Sequence, residues 1–380
     1  QLRGMIAKSV ESGVPLRIKF GMDPSSADLH IGHGVPLRKL RDLQDLGHQI
    51  VLIVGDATAM VGDPSGRNKL RPPLSRDEID ANAETYLAQL GKVVDLDDIE
   101  VRRNSEWHGR LDLAETLRLM GSVTVAQIMA RDDFRNRFQG GTPIHLHELL
   151  YPILQGYDSV MVEADIELGG TDQLFNNLMG RHLQEAAGQP GQAVMVMPLL
   201  VGTDGSDKMS KSKANYVGLT DAPEDMFGKL MSISDAMLPN YLELTTTFDA
   251  EARRGMLSAL ECGENPMALK KTLAANVTDR FHGAGAGDEA RAHFERTVQQ
   301  RAPSDADHVP LPAADLPDGA TLLDLCAAAQ PDQSRGALKR LIAGGGVRVD
   351  GDKVTDPGAA VDVAAGRKLW IGKRDRFVIA

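Results

Sequence analysis

The chain has 380 residues, of which 42% are hydrophobic and 25% are charged. These values are typical of a soluble globular protein with two or three domains. No apolar run approaches the ~18–20 residues that a membrane-spanning helix needs, and no secretory signal is evident at the start. The two cysteines, Cys262 and Cys326, have no motif spacing. We therefore expect reduced thiols in a cytoplasmic protein rather than a disulfide framework.

The formal net charge of −11 is unevenly distributed along the chain. Residues 321–380 contain ten Lys/Arg and seven Asp/Glu, which leaves 32 Lys/Arg and 46 Asp/Glu for the rest. An acidic body argues against indiscriminate binding of nucleic acid, whereas a basic end favours RNA contact through one module.

Strand-like runs alternate with amphipathic segments through the first half of the chain. This alternation predicts an α/β fold with a doubly wound, parallel, Rossmann-like sheet. Ligands of such sheets bind beyond the C-terminal ends of the strands. The strand-like runs are 16–20, 50–55, 99–103, 160–163 and 193–200.

Two of the helices between these runs have clear sequence signals. Ser75-Arg76-Asp77-Glu78 has the capping-box pattern and predicts a helix that continues through Leu90. Another helix is expected from about Gly32. Its apolar stripe comprises Val35, Leu40, Leu43 and Leu46.

The chain divides into further segments by composition. A catalytic domain is expected over 1–218, with a helical insertion at about 104–150, and a helical domain over 219–302. Residues 303–320 contain four prolines and predict an extended, poorly packed linker. Residues 321–380 predict a small α+β module with a helix at 334–342 and a hairpin at Asp350-Gly351. In the insertion, one apolar cluster is open to two interpretations, contact with another apolar surface or core packing: Val123, Val125, Ile128 and Met129.

Two short motifs stand far apart in this framework. His30-Ile31-Gly32-His33 follows the first strand-like run, and Lys208-Met209-Ser210-Lys211-Ser212 follows the last. Attack of a carboxylate on the α-phosphate of ATP needs no general base. Catalysis then rests on positioning and on groups that stabilise phosphate charge. Histidines at a helix N-terminus and lysines in a Gly/Asp/Ser-rich, mobile loop meet that need. Singly, the motifs could be a metal pair and a solvated turn, but no zinc ligand set stands near His30.

The two motifs are the HIGH and KMSKS signatures of class I aminoacyl-tRNA synthetases, and the chain resembles the bacterial tyrosyl-tRNA synthetases over essentially its full length. Further segments carry the resemblance: 21–24, 62–66, Tyr151-x3-Gln155-x2-Asp158 and 169–173. It implies a cytoplasmic homodimer that uses ATP with Mg²⁺ to form tyrosyl-adenylate and then charges tRNA(Tyr). The tryptophanyl enzymes share both signatures and are one alternative. A catalytically silent RNA-binding paralogue is another.

The resemblance also implies roles for individual residues. Lys19 departs from the family, in which many members carry a tyrosine that touches the substrate phenol. A lysine there could reach the same hydroxyl, pair with Asp158, or point away. The catalytic set is His30, His33, Lys208, Lys211 and, from a flexible loop, Arg67 and Arg71. The ATP set is Asp23, Gly32, His33, Gly170, Asp172, Lys208, Met209, Ser210 and Lys211. The tyrosine set is Asp63, Tyr151, Gln155, Asp158 as phenol acceptor, Gln173 and Lys19.

The C-terminal module resembles the small RNA-binding domain named after ribosomal protein S4. A basic helix beside a hairpin suits phosphate contact, although scattered charge on a stabilising module is the alternative. The expected tRNA-binding residues are Arg335, Lys339, Arg340, Arg348, Lys373 and Arg374. His145 and His147 form a His-x-His pair that lacks further ligands, so no metal is expected there.

Overall fold

The computed structural model describes residues 1–64, 75–299, 308–312, 319–361, 364, 366–372 and 375–379. The chain forms two compact units, Gln1–Ala290 and Arg291–Ala380. The predicted fold class is confirmed, because the first unit contains a parallel sheet flanked by helices and the second is a small α+β module.

The sheet of the first unit has five strands, and all neighbouring strands run parallel. They are β1 (Arg17–Met22), β2 (Gln49–Val54), β3 (Ile99–Arg103), β4 (Ile166–Gly170) and β5 (Ala193–Met197). Their spatial order is β3-β2-β1-β4-β5. The order reverses between β1 and β4, and the crevice at such a switch point is where doubly wound sheets bind ligands.

Ten helices accompany these strands in the described part of residues 1–186. They are α1 (Leu2–Ser12), α2 (Ile31–Asp45), α3 (Thr58–Val61), α4 (Arg76–Leu90), α5 (Ser105–His108), α6 (Leu113–Gly121), α7 (Val125–Ile128), α8 (Asp132–Gln139), α9 (Leu146–Met161) and α10 (Leu174–Ala186). The capping box is confirmed: Ser75 Oγ accepts from Glu78 N at 3.3 Å, and the Glu78 carboxylate accepts from Ser75 N at 2.8 Å. The apolar stripe predicted for α2 is wrong at one residue, Leu46. This side chain is 73% exposed, because the helix ends at Asp45.

The strand predicted at 160–163 is wrong. These residues form the end of α9 and the turn after it, and the strand begins only at Ile166. Val162 is buried against Val51, Ile53 and Trp107. A helix end packed onto a sheet needs the same apolar residues as a short buried strand, so hydrophobicity alone does not distinguish the two.

The predicted helical insertion between β3 and β4 is present, as α5 to α8 and the start of α9. Its apolar cluster divides between the two interpretations. Ile128 is buried with Phe134, Ile153 and Met179, whereas Val125 is 70% exposed. Val123 and Met129 pack against the same buried cluster.

Residues 223–299 are helical apart from short connections, and the last helix begins in the first unit and ends in the second. The helices are α11 (Pro223–Met231), α12 (Leu238–Thr245), α13 (Ala250–Glu261), α14 (Pro266–His282) and α15 (Ala286–Phe294). Their fully buried side chains include Phe227, Leu230, Tyr241, Leu273 and Val277. Short 3-10 turns lie at Leu96–Asp98, Thr171–Gln173, Lys211–Lys213 and Asp235–Met237, and a π-helical turn at Glu295–Gln299.

After the π-helical turn, the described part of the second unit contains a mixed sheet of spatial order β6-β10-β9-β7-β8 and two α-helices. The elements are β6 (Val309–Leu311), α16 (Leu322–Ala329), α17 (Arg335–Ala343), β7 (Val347–Val349), β8 (Asp352–Lys353), β9 (Lys368–Ile371) and β10 (Asp375–Ile379). The predicted hairpin is confirmed, since Asp350 and Gly351 have φ of 49° and 94°, as a two-residue primed turn requires. The linker prediction is wrong at Val309–Leu311, which pairs with β10.

Among the described residues, no helix has the length and hydropathy needed to cross a membrane.

Candidate active site

A cleft of about 950 Å³ opens at the C-terminal ends of β1 and β4. It is lined by both signature motifs and by polar side chains from α9 and from the turn after β4. Two segments far apart in the chain therefore meet at the switch point of the sheet. Every predicted ATP and tyrosine residue except Lys19 lines this cleft.

The histidine motif forms the first turn of α2 and the residue before it. The His30 backbone N–H donates to His33 Nδ1 at 3.2 Å, and the two ring centroids are 3.9 Å apart. Desolvation, followed by the charges of the neighbouring motif residues, lowers the pKa of His30 to about 2 and that of His33 to about 4. Both imidazoles are therefore neutral near pH 7 and can act as hydrogen-bond donors to phosphate.

Two glycines are required by the packing of side chains in this wall of the cleft. A Cβ on Gly32 would lie 2.9 Å from His30 Nδ1, and one on Gly170 would lie 2.6 Å from Asp172 Oδ1. His30 Nδ1 is buried and has no hydrogen-bond partner within the described residues. The absence of a Cβ therefore lets the His30 ring and the Asp172 carboxylate pack directly against the backbone, and the His30 ring keeps one unsatisfied nitrogen.

The lysine motif lies in a loop held by Asn215. Asn215 Oδ1 accepts from the Ser210 backbone at 2.8 Å, and its amide donates to Asp204 at 2.8 Å. Met209 is 4% exposed and anchors the loop by burial. Both lysines are exposed enough to exchange partners.

Each motif lysine has a carboxylate partner. Lys208 Nζ lies 2.9 Å from Asp172 Oδ2, and Lys211 Nζ lies 3.2 Å from Asp28 Oδ2. Ion pairs of this exposure are weak, about 0–1 kcal/mol. They can therefore be replaced by stronger contacts with phosphate charge.

Acidic groups gather at the opposite side of the cleft. The Tyr151 hydroxyl donates to Asp23 Oδ2 at 2.8 Å, and Thr58 Oγ1 donates to Asp23 Oδ1 at 2.7 Å. Desolvation, with nearby Asp63 and Asp158, raises the pKa of Asp23 to about 7. Desolvation and the charge of Asp23 raise the pKa of Tyr151 well above its ordinary value, so its hydroxyl stays a donor.

The amide side chains of the predicted tyrosine set join this acidic wall. Gln173 Nε2 donates to Asp63 Oδ2 at 2.9 Å, and Arg131 lies 3.7 Å from Asp63 Oδ1. Gln155 Nε2 lies 3.5 Å from Glu167 Oε1. Carboxylates and amide oxygens converging on one region suit a substrate ammonium group.

Asp158 is 3% exposed and is held by residues that the sequence did not single out. Its Oδ1 accepts from Trp107 Nε1 at 2.8 Å and lies 2.8 Å from His108 Nε2. Its Oδ2 accepts from Asn104 Nδ2 at 3.3 Å. The segment Asn104-x2-Trp107-His108 directly after β3 is the signal that was available, since residues at the C-terminal end of a parallel strand lie at the ligand edge of the sheet.

Lys19 does not line the cleft but lies directly behind two of its lining residues, Gln155 and Glu167. It is fully buried, and its Nζ lies 2.9 Å from Glu167 Oε1, its direct neighbour across β1 and β4. Its remaining hydrogen bonds go to Ser159 Oγ at 2.8 Å and to the Gln155 carbonyl at 2.9 Å. Lys19 therefore makes no contact with Asp158 and supports the tyrosine set from behind.

Some predicted site residues lie elsewhere. Arg67, Arg71, Lys373 and Arg374 fall outside the described residues. In the second unit, Lys339, Arg340 and Arg348 are exposed, and Arg335 pairs with Asp324 at 2.6 Å. Within the described part of the chain, no group of three His, Cys, Asp or Glu side chains could hold a metal ion.

Comparison with known proteins assigns the class. Residues 11–299 match the family described as tRNA synthetases class I (W and Y), and residues 321–365 match the S4 domain. The chain belongs to the class I tRNA synthetases. The parallel sheet and the meeting of the two signature motifs in one cleft are as expected for that class.

Full-length relatives define the branch within this class. The tyrosine–tRNA ligase 2 of Photorhabdus laumondii is 53% identical over 100% of this chain and 94% of its own length. The tyrosine–tRNA ligase of Symbiobacterium thermophilum is 47% identical over 98% of this chain and 92% of its own length. The chain belongs to the tyrosine–tRNA ligase family.

Solved structures share the fold at low sequence identity. The tyrosyl-tRNA synthetase of Archaeoglobus fulgidus, complexed with L-tyrosine, has a TM-score of 0.59 and 19% identity over 75% of this chain and 93% of its own. The tryptophanyl-tRNA synthetase of Plasmodium falciparum has a TM-score of 0.57 and 17% identity over 76% and 80%. Fold alone therefore does not separate tyrosine from tryptophan.

Proposed function

We infer that this chain activates L-tyrosine with ATP and transfers the tyrosyl group to tRNA(Tyr). The observation that carries this inference is one cleft lined both by the two signature motifs, whose side chains suit phosphate, and by acidic and amide side chains such as Asp63 and Gln173. Full-length relatives at 47–53% identity bear the same enzyme name. Both the tryptophanyl and the silent-paralogue alternatives are thereby disfavoured.

In the first step, the tyrosine carboxylate attacks the α-phosphate of ATP. The nucleophile is already ionised, so no side chain has to remove a proton. Neutral His30 and His33 donate hydrogen bonds to the phosphates. Lys208 and Lys211 leave Asp172 and Asp28 as charge develops on the departing pyrophosphate, which is when their contacts become strongest. Arg67 and Arg71 complete the proposed pyrophosphate contacts.

Backbone and hydroxyl groups position the nucleotide in this proposal. Gly32 and Gly170 leave room for the adenosine, and Asp172 accepts from the ribose hydroxyls. Asp23, Met209 and Ser210 complete the proposed ATP contacts. Mg²⁺ enters as part of the ATP complex, because this cation is usually held by substrate phosphates and few protein oxygens.

The acidic wall binds the amino acid in the proposed mechanism. Asp63, Tyr151, Gln155 and Gln173 surround the ammonium group, and Asp158 accepts from the phenol hydroxyl. Phenylalanine would leave that buried carboxylate without its partner, which is a much stronger penalty than a change of size in an apolar slot. No editing site is then needed.

In the second step, the tyrosyl group passes to the terminal ribose of the tRNA. We propose that residues 321–380 bind the tRNA through the exposed Arg335, Lys339, Arg340 and Arg348, with Lys373 and Arg374. The match of residues 321–365 to the S4 domain supports this proposal. The proposed domain limits are those of the sequence analysis, with Val309–Leu311 moved from the linker to the module. We further propose that the enzyme acts in the cytoplasm, where its tRNA substrate is found.

A homodimer is proposed from the helical insertion. In residues 113–146 five large apolar side chains are at least half exposed: Leu113, Leu117, Val125, Phe138 and Leu146. Such a concentration in one segment is unusual for a monomer surface, and a second copy of the same segment is a self-complementary cover. Light scattering should give a dimer for the wild type and a monomer for Phe138→Glu with Leu117→Glu. Leu46→Glu, at an equally exposed leucine, is the control. A monomeric wild type would refute the proposal.

The deciding experiment for the function is amino-acid-dependent ATP–pyrophosphate exchange with all twenty amino acids, followed by charging of tRNA(Tyr). Exchange should be strong with tyrosine alone. Exchange with tryptophan instead would move the chain to the sister branch. The absence of any exchange, from protein that unfolds cooperatively, would favour the silent paralogue.

A further inference from the structure

We propose that His108 is a specificity-determining positioning residue, which orients the Asp158 carboxylate so that one oxygen is reserved for the substrate phenol. The inference rests on the proposed role of Asp158 as phenol acceptor. His108 itself does not line the cleft. It acts through the carboxylate in front of it.

The two oxygens of Asp158 have different surroundings. Oδ1 is contacted by two ring nitrogens, Trp107 Nε1 and His108 Nε2, each at 2.8 Å. Oδ2 is contacted by the Asn104 amide alone, at the longer distance of 3.3 Å. A carboxylate oxygen accepts about two hydrogen bonds. Oδ1 is therefore saturated by the protein, whereas Oδ2 keeps a place for one more donor.

The proposal requires the His108 tautomer that carries hydrogen on Nε2, the ring nitrogen nearest to Asp158. An ionised carboxylate offers only acceptors, so Nε2 must carry hydrogen in this pair. The side chains of His108 and Asp158 are 6% and 4% exposed, so water does not compete for the bond. The other ring nitrogen, Nδ1, is buried and has no partner in the described structure.

The surroundings of His108 hold the ring in place. Trp107 and Tyr157 contribute rings whose centroids lie 6.1 Å and 6.0 Å from that of His108. Asp158 is the charged group that faces it among the described residues. Because the His108 ring is fixed and its Nε2 bonds Oδ1, the Asp158 carboxylate cannot rotate to turn Oδ2 towards Trp107. Oδ2 therefore stays available to the phenol.

A further hydrogen-bonded chain connects this carboxylate to Asp23. Asn104 Nδ2 also lies 3.0 Å from Thr58 Oγ1, which donates to Asp23. The Asn104 amide is thus shared between the Asp158 carboxylate and the Thr58 hydroxyl, and it is the weaker support of Asp158. Without His108, the position of Oδ2 would depend on Trp107 and this shared amide.

The test compares His108→Leu with His108→Gln in pyrophosphate exchange with tyrosine and phenylalanine. The glutamine Nε2 reaches about as far as the histidine Nε2 and retains a donor, whereas leucine retains only the volume. We expect His108→Leu to lower the tyrosine-to-phenylalanine ratio of kcat/KM by about tenfold, the size of one lost hydrogen bond to a buried charge. The loss should fall on tyrosine KM, with ATP KM unchanged, and His108→Gln should recover most of it.

Two further variants make the outcomes distinguishable. His182→Leu is the control, because His182 Nε2 bonds the Ser122 carbonyl at 3.1 Å away from the cleft, and it should leave the ratio unchanged. Asp158→Asn should greatly lower the tyrosine-to-phenylalanine ratio of kcat/KM. If Asp158→Asn does so but His108→Leu does not, His108 only fills space and the inference is overturned. If Asp158→Asn leaves the ratio intact, the phenol assignment itself fails, and the inference with it.

Discussion

Replacing Lys19 with methionine should destabilise the first unit strongly. The substitution keeps the length of the side chain but removes a cation that is fully buried 2.9 Å from Glu167. The three Nζ hydrogens bond Glu167, Ser159 and the Gln155 carbonyl, so no water replaces them. Removing one partner of a buried ion pair leaves the other charge uncompensated, which costs ~3–5 kcal/mol.

Urea unfolding followed by tryptophan fluorescence measures this loss. The chain has two tryptophans, Trp107 in the first unit and Trp370 in the second. A Trp370→Phe background therefore makes the signal report on the first unit. All variants are compared at one protein concentration, because any dimerisation would add to the apparent stability.

The double variant Lys19→Met with Glu167→Gln shows how much of the lost stability comes from the uncompensated charge of Glu167. The glutamine removes the buried charge, so the double variant should be more stable than Lys19→Met alone, with a coupling energy of ~1–3 kcal/mol. Lys19→Met should also raise tyrosine KM with ATP KM unchanged, because Gln155 loses its support. A change below about 1 kcal/mol in Lys19→Met, or additive costs in the double variant, would refute the argument.

Three further outcomes follow from the geometry. Lys211→Ala should slow adenylate formation by roughly 10²–10³-fold in single-turnover kinetics, as for loss of one transition-state donor. Lys213→Ala is the control and should have a much smaller effect, since the partner of Lys213 is Asp207 at 3.0 Å. Weakened tyrosine binding with an unchanged rate of the chemical step in Lys211→Ala would contradict the assignment. The pKa of Asp23 is raised to about 7, so kcat/KM for tyrosine should increase as the pH rises through that value, because the anionic carboxylate adds to the negative charge of the wall that includes Asp63. Asp23→Asn should remove this pH dependence, and its survival in that variant would point to another group. Replacing Arg335, Lys339 and Arg340 with Glu should leave pyrophosphate exchange nearly intact but weaken tRNA charging. It should also reduce the salt dependence of charging, since phosphate contacts release counterions. A parallel loss of both activities would mean that the module supports the catalytic fold.

Local features of this protein were determined by the sequence itself. The Ser75 capping box, the Asp350-Gly351 hairpin and the helix after His30 depend on interactions within a few residues. Side-chain chemistry and backbone preference in one segment suffice to predict them. The two signature motifs likewise indicated residues of one cleft, because glycine, histidine and lysine suit phosphate wherever the strand ends bring them together.

Tertiary structure decided the features that depend on neighbours distant in the chain. Lys19 is buried because β1 lies beside β4, which places Glu167 directly opposite it; nothing in either segment alone states that the strands are adjacent. The end of α9 was mistaken for a strand because burial against a sheet imposes the same apolar residues on both. His108 has no motif, and its role arises only where the end of β3 meets α9 at Asp158. Sequence patterns record which residues prefer water or one backbone conformation, whereas the partner that satisfies a buried charge is chosen by how the strands and helices pack.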